Sequence, residues 1–467
     1  MIQSFVKWRS LGIGMALILV GGCSAIPKIV SVTEDHSVRL VSRPISAPAE
    51  LAWRAKTFGE MTVSRMYIRY HRFNRLSCRL PVPALRPYTT LPPNESLLPL
   101  ISFYSGPPVP GTVTFLTGGD IFFPHFEAAI ASATNRIAIK TYIFDNDVYA
   151  MAVADLLKAR NQQGVQVQVL LDIIGSRHAW DENHPESPPQ AESVNTLRYL
   201  RKDSTINVRQ SRNLWLSSDH VKFFTIDGHT AYLGGMNIGW EYRYLWRDMM
   251  SELTGAVVTE LDSYFDAVWT QAGWLGDIEL LRQATARRHV YTARPGDINL
   301  YFLVTTPWRH YYFRTMLAAI GGARHRIYVE NAYLWNKHIL YALCEARHRG
   351  VDVRVVIPME TNIKSIQGAD RISANTLLEH GVRVFLYPGM THKKATLIDN
   401  WAFWGSANMD DLSLHKNVEL NLATPDAPTV QALESIMLAG QDTATEILDP
   451  IPTRTWDALK SRLADLL

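Results

Sequence analysis

HVKFFTIDGHTAYLGGMN (220–237) and HKKATLIDNWAFWGSAN (392–408) are two versions of one pattern. Each reads His-x-Lys, then Asp five residues after the Lys: His220, Lys222 and Asp227, then His392, Lys394 and Asp399. Each then reaches a small-residue segment that closes on Asn: Gly235 and Asn237 in the first copy, Ser406 and Asn408 in the second. On a strand, residues i and i+2 share a face, so His and Lys project toward one ligand, and Lys394 rather than Lys393 accompanies His392. The apolar residues after the Lys (FFTI, ATLI) anchor the strand, and Asp-Gly (227, 228) and Asp-Asn (399, 400) are turn pairs, so each copy reads as a hairpin. The returning strand brings its small residue beside the His and Lys, where backbone N–H groups can approach an anion. The second copy is one residue shorter, and the missing residue falls after Asp399, in the expected turn. At average usage a single His-x-Lys-x4-Asp match is expected about 0.03 times in a chain of this size. Two copies with matching tails are therefore a duplication.

The duplication extends outward. FEAAIASATNRIAIKTYIF (126–144) matches TMLAAIGGARHRIYVENAYL (315–334), a helix face leading through Arg-Ile into an apolar strand. LLKARNQQGVQVQVLLD (156–172) matches LCEARHRGVDVRVVIP (343–358), a helix ending at Gly164 or Gly350 with a buried strand directly after. The short strands INVRQ and VRVFLYPG follow, each ahead of a His-x-Lys stretch. Alternating helix and strand in each half predicts an α/β fold of two units, 111–290 and 291–447, each a largely buried sheet flanked by helices, arranged either as a tandem array with independent sites or as pseudo-twofold halves sharing a seam.

Outside the repeat, the chain opens on Lys7 and Arg9, an apolar run from Leu11 to Val20, and Gly21-Gly22-Cys23. That is the layout of an export segment over 1–23. The run is shorter than the roughly 20 residues of a spanning helix. LVGGC is similar to a bacterial lipoprotein cleavage site, which implies lipid on Cys23 and a membrane-anchored, exported protein. Residues 24–110 read as a basic, proline-rich region with linker character. Between residues 54 and 86 eight Lys and Arg stand against Glu60 alone, with Trp53, Phe58, Tyr67, Tyr70 and Phe73 interleaved, a pattern suited to an anionic membrane surface. Residues 448–467 read as an amphipathic tail. The net charge of +3 over 467 residues disfavours nucleic acid as a partner. No Cys/His spacing reads as a zinc site, no cofactor is called for, and a pairing of Cys78 with Cys344 is open.

The repeat also supplies carboxylates. Asp248 lies 11 residues after Asn237, and Glu419 lies 11 after Asn408. A histidine that must hold one tautomer and become charged needs such a partner, so Asp248 and Glu419 are expected to orient the two histidines. Two Lys converging on one anion suit a phosphodiester, whose transition-state charge spreads over several oxygens. One neutral His can attack phosphorus while the other, protonated, donates to the leaving alcohol. A single copy provides half of this set.

Both stretches resemble the His-x-Lys-x4-Asp signature of the phospholipase D superfamily, and the region from about 112 to 447 is similar to its two-lobed core, which implies two pseudo-twofold-related lobes, each a mixed β-sheet flanked by helices, with both motifs together in an active site at the lobe interface. TYIFDND, GVQVQVLLDIIGS, GGMNIGWEY, RGVDVRVVIP and GSANMDDLSLHKNVELNL resemble bacterial cardiolipin synthases most. The resemblance implies His220 as nucleophile and His392 as general acid/base. Lys222, Lys394, Asn237 and Asn408 would hold the phosphate, and Asp227 and Asp399 would mainly stabilise their motifs. It implies phosphatidyl transfer through a phosphohistidine to a phosphatidylglycerol hydroxyl. A hydrolytic phospholipase D, an exported nuclease and a non-catalytic scaffold stay open at this point.

Overall fold

The computed structural model describes residues 84–85, 97–181, 195–211, 218–273, 291–307, 309–362 and 367–453. The export segment with Cys23, most of the basic region including Cys78, and the tail from 454 lie outside the described residues.

The first half contributes β1 (Val109–Thr117), β2 (Arg136–Thr141), β3 (Gln166–Asp172), β4 (Asn207–Ser211), β5 (Phe223–Ile226), β6 (Thr230–Gly234) and β7 (Met249–Thr254). The second contributes β8 (Ile298–Thr306), β9 (Arg309–His310), β10 (Arg326–Asn331), β11 (Asp352–Pro358), β12 (Arg383–Tyr387), β13 (Lys394–Ile398), β14 (Trp401–Gly405), β15 (Glu419–Thr424) and β16 (Thr445–Ile447). Hydrogen bonding links them in the order β16-β12-β11-β10-β13-β14-β15-β8-β1-β7-β6-β5-β2-β3-β4, with β9 on β8. Read outward from the β8–β1 pair, the two halves repeat one another strand for strand until β16 adds an edge. The junction is antiparallel, Val109 opposite Leu300 and Gly111 opposite Ile298. The helix-connected pairs β2–β3, β3–β4, β10–β11 and β11–β12 are parallel, and the two motif hairpins are antiparallel. This is the mixed sheet with helical crossovers that the alternation of elements predicts.

Local sequence explains the crossovers. Asp147 caps the helix Val148–Gln162 by accepting from the Ala150 N–H at 2.7 Å, and Asn336 caps Lys337–His348 through Ile339 N–H at 3.1 Å. Gly164 and Gly350 follow these helices at φ 92° and 88°, a conformation that favours glycine, and the chain drops directly into β3 and β11.

Each lobe has its own apolar core, and a third core is shared. The shared one joins Met249, Leu253, Leu261 and Phe265 of the first lobe to Leu300, Leu420, Leu422, Leu433 and Met437 of the second. Within it the buried Trp404 indole N–H donates to Ser251 Oγ at 2.9 Å, and its ring meets Phe115 edge-on. A fully buried Leu or Phe contributes roughly 1.5–3 kcal/mol, so a core drawn from both lobes makes them one folded unit.

The proline-rich region holds an element that its composition conceals. Leu97–Ser105 is helical, and Leu97 and Ile101 are buried in the second lobe's core with Met316 and Tyr312. Pro99 sits in the first turn of this helix, where its missing N–H costs no intrahelical bond, and the other prolines lie outside it. Among the described residues no helix is long and apolar enough to cross a membrane. Cys344 is buried in the second lobe.

Candidate active site

The motif hairpins form as their turn residues dictate. Three residues separate Ile226 from Thr230 in the first copy, and two separate Ile398 from Trp401 in the second. The one-residue difference therefore lies in the turn, and both ladders are intact. Asp227 and Asp399 sit at φ 53° and 49°, a region where a short polar side chain is tolerated. Their carboxylates face away from the histidines. Asp227 accepts the N–H groups of Thr134, Asn135 and Arg136 at 2.7–2.8 Å; Asp399 accepts those of Arg324, His325 and Arg326 at 2.9–3.0 Å. Burial alone would raise the Asp227 carboxyl, yet these N–H bonds outweigh it and hold it below its ordinary range. Both residues fix the entry of β2 or β10 beside the hairpin. They belong to the scaffold of the motif and not to its reacting groups.

The histidines stand just ahead of their strands, not within them, and the other lobe holds them there. His220 N–H donates to Val418 O at 2.9 Å, and Val418 N–H donates to Ser218 O at 2.9 Å. His392 N–H donates to Arg247 O at 2.7 Å, and Arg247 N–H to Met390 O at 3.0 Å. Val418 and Arg247 are the residues before Glu419 and Asp248, so this lacing delivers each carboxylate to the opposite lobe's histidine. His220 Nδ1 lies 3.1 Å from both Glu419 oxygens, and His392 Nδ1 lies 2.7 Å from Asp248 Oδ2. With Nδ1–H donating to carboxylate, Nε2 of each ring is the free reactive nitrogen.

Lys222 and Lys394 are buried and alike: Nζ donates to the His220 carbonyl at 2.7 Å and to the His392 carbonyl at 2.5 Å. Burial is the main force lowering both, to about 8 for Lys394 and well below the usual value for Lys222. Lys222 also feels Glu419, Lys394 and Asp248, so the two copies form one electrostatic unit. Lys393 turns instead to Glu330, 3.3 Å away, as strand alternation requires.

The small residues have a task that spacing alone misassigns. The Gly235 and Ser406 N–H groups are spent on Met249 O at 3.2 Å and Leu420 O at 3.1 Å, so they do not line an anion site. They seat the carboxylates instead. A Cβ at Gly235 would collide with the Asp248 carboxylate, whereas Ser406 Oγ donates to Glu419 Oε2 at 2.6 Å. Asn237 is likewise committed: its oxygen accepts from Thr141 Oγ1 and Ile143 N–H, and its amide donates to the Tyr242 hydroxyl at 2.7 Å. The Asn408 side-chain oxygen is buried without a hydrogen-bond partner among the described residues.

The motif spacing misses a surrounding tier. Lys140 and Glu330 occupy equivalent positions, opposite Phe223 and Ala395 in the two ladders, yet carry opposite charge. Lys140 pairs with Asp219 at 2.5 Å beside His220. Glu330 receives Thr391 Oγ1 at 2.7 Å, Arg247 Nε at 3.2 Å and Lys393 beside His392. Tyr142 lies edge-on to His220, and Tyr242 and Trp246 pack on His392. Charge reversal at equivalent repeat positions was the signal available in the sequence.

Protonation follows burial. His220 is lowered by burial, which Glu419 opposes, and Glu419 is held ionised because His220, Lys222 and Ser406 outweigh its own burial. His392 is pushed well below its ordinary value by burial and by Lys394 and Lys222; Asp248 is pushed up by burial to about 7. The two sides of the site are therefore electrostatically unlike. Paired His and Lys with free Nε2 atoms, in a buried cationic seam, can bind a phosphodiester and perform in-line displacement at phosphorus.

A family model described as cardiolipin synthase, PLD-like domain, matches residues 126–269 and 316–439, more than half of the chain and one match in each lobe. The chain belongs to the phospholipase D superfamily. It is 29% identical over 369 residues to cardiolipin synthase A of Pseudomonas fluorescens (strain SBW25), covering 76% of this chain and 74% of that protein. It is 29% identical over 345 residues to the probable cardiolipin synthase YwiE of Bacillus subtilis (strain 168), covering 69% and 64%. Among solved structures, phosphatidylserine synthase of Haemophilus influenzae Rd KW20 superposes with a TM-score of 0.60 at 13% identity, over 80% of this chain and 96% of that one, a likeness of fold.

Proposed function

We propose that this protein is a phosphatidyltransferase of the cardiolipin synthase type, moving a phosphatidyl group through a phosphohistidine to a lipid hydroxyl, that of phosphatidylglycerol foremost. The observation that carries the reading is the crossed pairing of two His-x-Lys copies with carboxylates from opposite lobes. His220 Nε2 attacks phosphorus, the bond to the donor's headgroup oxygen breaks, and His392 supplies the proton that oxygen takes up. The phosphorylated His220 ring keeps its Nδ1 proton and is cationic, and the ionised Glu419 offsets that charge. In the second step His392 removes the acceptor hydroxyl's proton, the new P–O bond forms, and His220 leaves neutral. Lys222 and Lys394 hold the phosphate oxygens throughout. The proton needed at His392 is shared with Asp248, and an anionic phosphate shifts it toward His392 by offsetting the lysines.

The assay is purified protein with phosphatidylglycerol vesicles in chelator, lipids read by mass spectrometry. Cardiolipin and glycerol are expected. Phosphatidic acid alone would make it a hydrolase, and cleaved nucleic acid with unchanged lipid would make it a nuclease. Attachment through Cys23 is a further part of the proposal, read by the mass of an acylated N-terminal peptide from cells.

A further inference from the structure

Among the described residues, the second lobe leaves two buried side-chain oxygens near the motif's Asn without a partner. Asp370, on the helix Gln367–Glu379, is 3% exposed; one carboxylate oxygen accepts Leu334 N–H at 3.2 Å and the other has no partner among the described residues. The side-chain oxygen of Asn408, 5% exposed, is likewise unmatched. Asp410, 4% exposed, caps the helix Asp411–His415 by accepting the Ser413 N–H at 2.7 Å; it interacts electrostatically with Asp370 and Glu419, and Lys394 feels it in turn. These residues hang on one laced pair of segments: Met409 N–H donates to Tyr333 O at 3.0 Å, and Asn336 N–H to Met409 O at 3.0 Å. Trp246, which flanks His392, packs against the Tyr333, Trp335 and Ala369 cluster next to Asp370. In the first lobe the equivalent of Asn408 is Asn237, whose side-chain oxygen accepts two hydrogen bonds, and Gly239 stands where Asp410 would.

Unmatched buried acceptors cost free energy unless a ligand supplies donors. We propose that Asp370, Asp410 and the Asn408 side-chain oxygen form a subsite, on the His392 side, for the hydroxyl groups of a polyol acceptor. The proposal rests on the phosphatidyl-transfer reading and names where that reaction's acceptor is recognised. A neutral polyol fits better than an ammonium, because Lys394 lies close enough to Asp410 to interact with it and would repel a second cation there. Burial also pushes Asp370 to about 8 and Asp410 to about 7, so near neutrality Asp370 is mostly protonated and Asp410 partly so, and the pair can donate as well as accept. The location suits the chemistry, since His392 is the group that deprotonates the acceptor.

The test is acceptor competition on the full chain: phospholipid vesicles, isotopically labelled glycerol against ethanol, and products counted by mass spectrometry. The ratio cancels any loss of turnover common to both alcohols. Wild type should favour glycerol, and Asp370→Ala should lower that preference about tenfold, with the isosteric Asp370→Asn intermediate. An unchanged ratio in both variants would overturn the subsite, as would ethanolamine outcompeting glycerol in the wild type. A wild type that yields neither an alcohol adduct nor cardiolipin refutes the transfer reading, and the subsite falls with it; cardiolipin without any alcohol adduct overturns the subsite alone.

Discussion

Glu419 and Asp248 each orient a histidine from the opposite half of the chain, and that exchange gives unequal roles to similar residues. Glu419→Gln and Asp248→Asn keep shape but remove the charge that fixes each tautomer, so each should lower kcat about 10²–10⁴-fold with little change in fold. NMR of histidine rings checks the crossing: Asp248→Asn should move the His392 signals and leave His220 nearly in place. Lys394 sets a pH limit. It is depressed to about 8, so it is cationic below that and neutral above, and kcat/KM should fall as pH rises through about 8. Lys394→Arg, lower in rate, should lose the Lys394 part of that limb because guanidinium keeps its charge, while Lys222, also lowered by burial, still titrates; the double variant Lys222→Arg/Lys394→Arg should lose the limb altogether.

The hairpins show how much an element's sequence can reveal. His-x-Lys spacing, the apolar anchor and the Asp turn were legible because each is a local backbone or alternation effect. The purpose of Gly235 and Ser406 was not, since it depends on Asp248 and Glu419 arriving from a neighbouring strand. Gly235→Ala should cost about 1–3 kcal/mol through its collision with Asp248, and Ser406→Gly should cost less in stability, as measured by denaturant midpoint. Asp399→Ala strands three backbone N–H groups and should destabilise by about 2–3 kcal/mol while leaving the reacting groups untouched. The helix Leu97–Ser105 escaped notice because its apolar face answers to the second lobe, more than 200 residues away, and Pro99 in its first turn and the prolines around it signalled loop.

At the scale of the molecule, repeat and motif were enough to read two lobes and one shared site, because duplication is visible in sequence and a single copy is chemically incomplete. Which carboxylate serves which histidine was not visible, since the lacing of Arg247 and Val418 is a long-range contact without a local signature. The same lacing predicts that neither half is active alone: a chain ending at 290 holds His220 without Glu419, and its complement holds His392 without Asp248. The central claim is that two motif copies form one site in which a single histidine carries the phosphatidyl group. Rapid denaturation during turnover with labelled phospholipid, followed by peptide mapping, tests it directly. The account predicts a phosphatidyl adduct on the His220 peptide, lost in His220→Gln and accumulating in His392→Gln when an easily departing headgroup is supplied. Label on both histidines of one chain, or turnover with none on either, would contradict it.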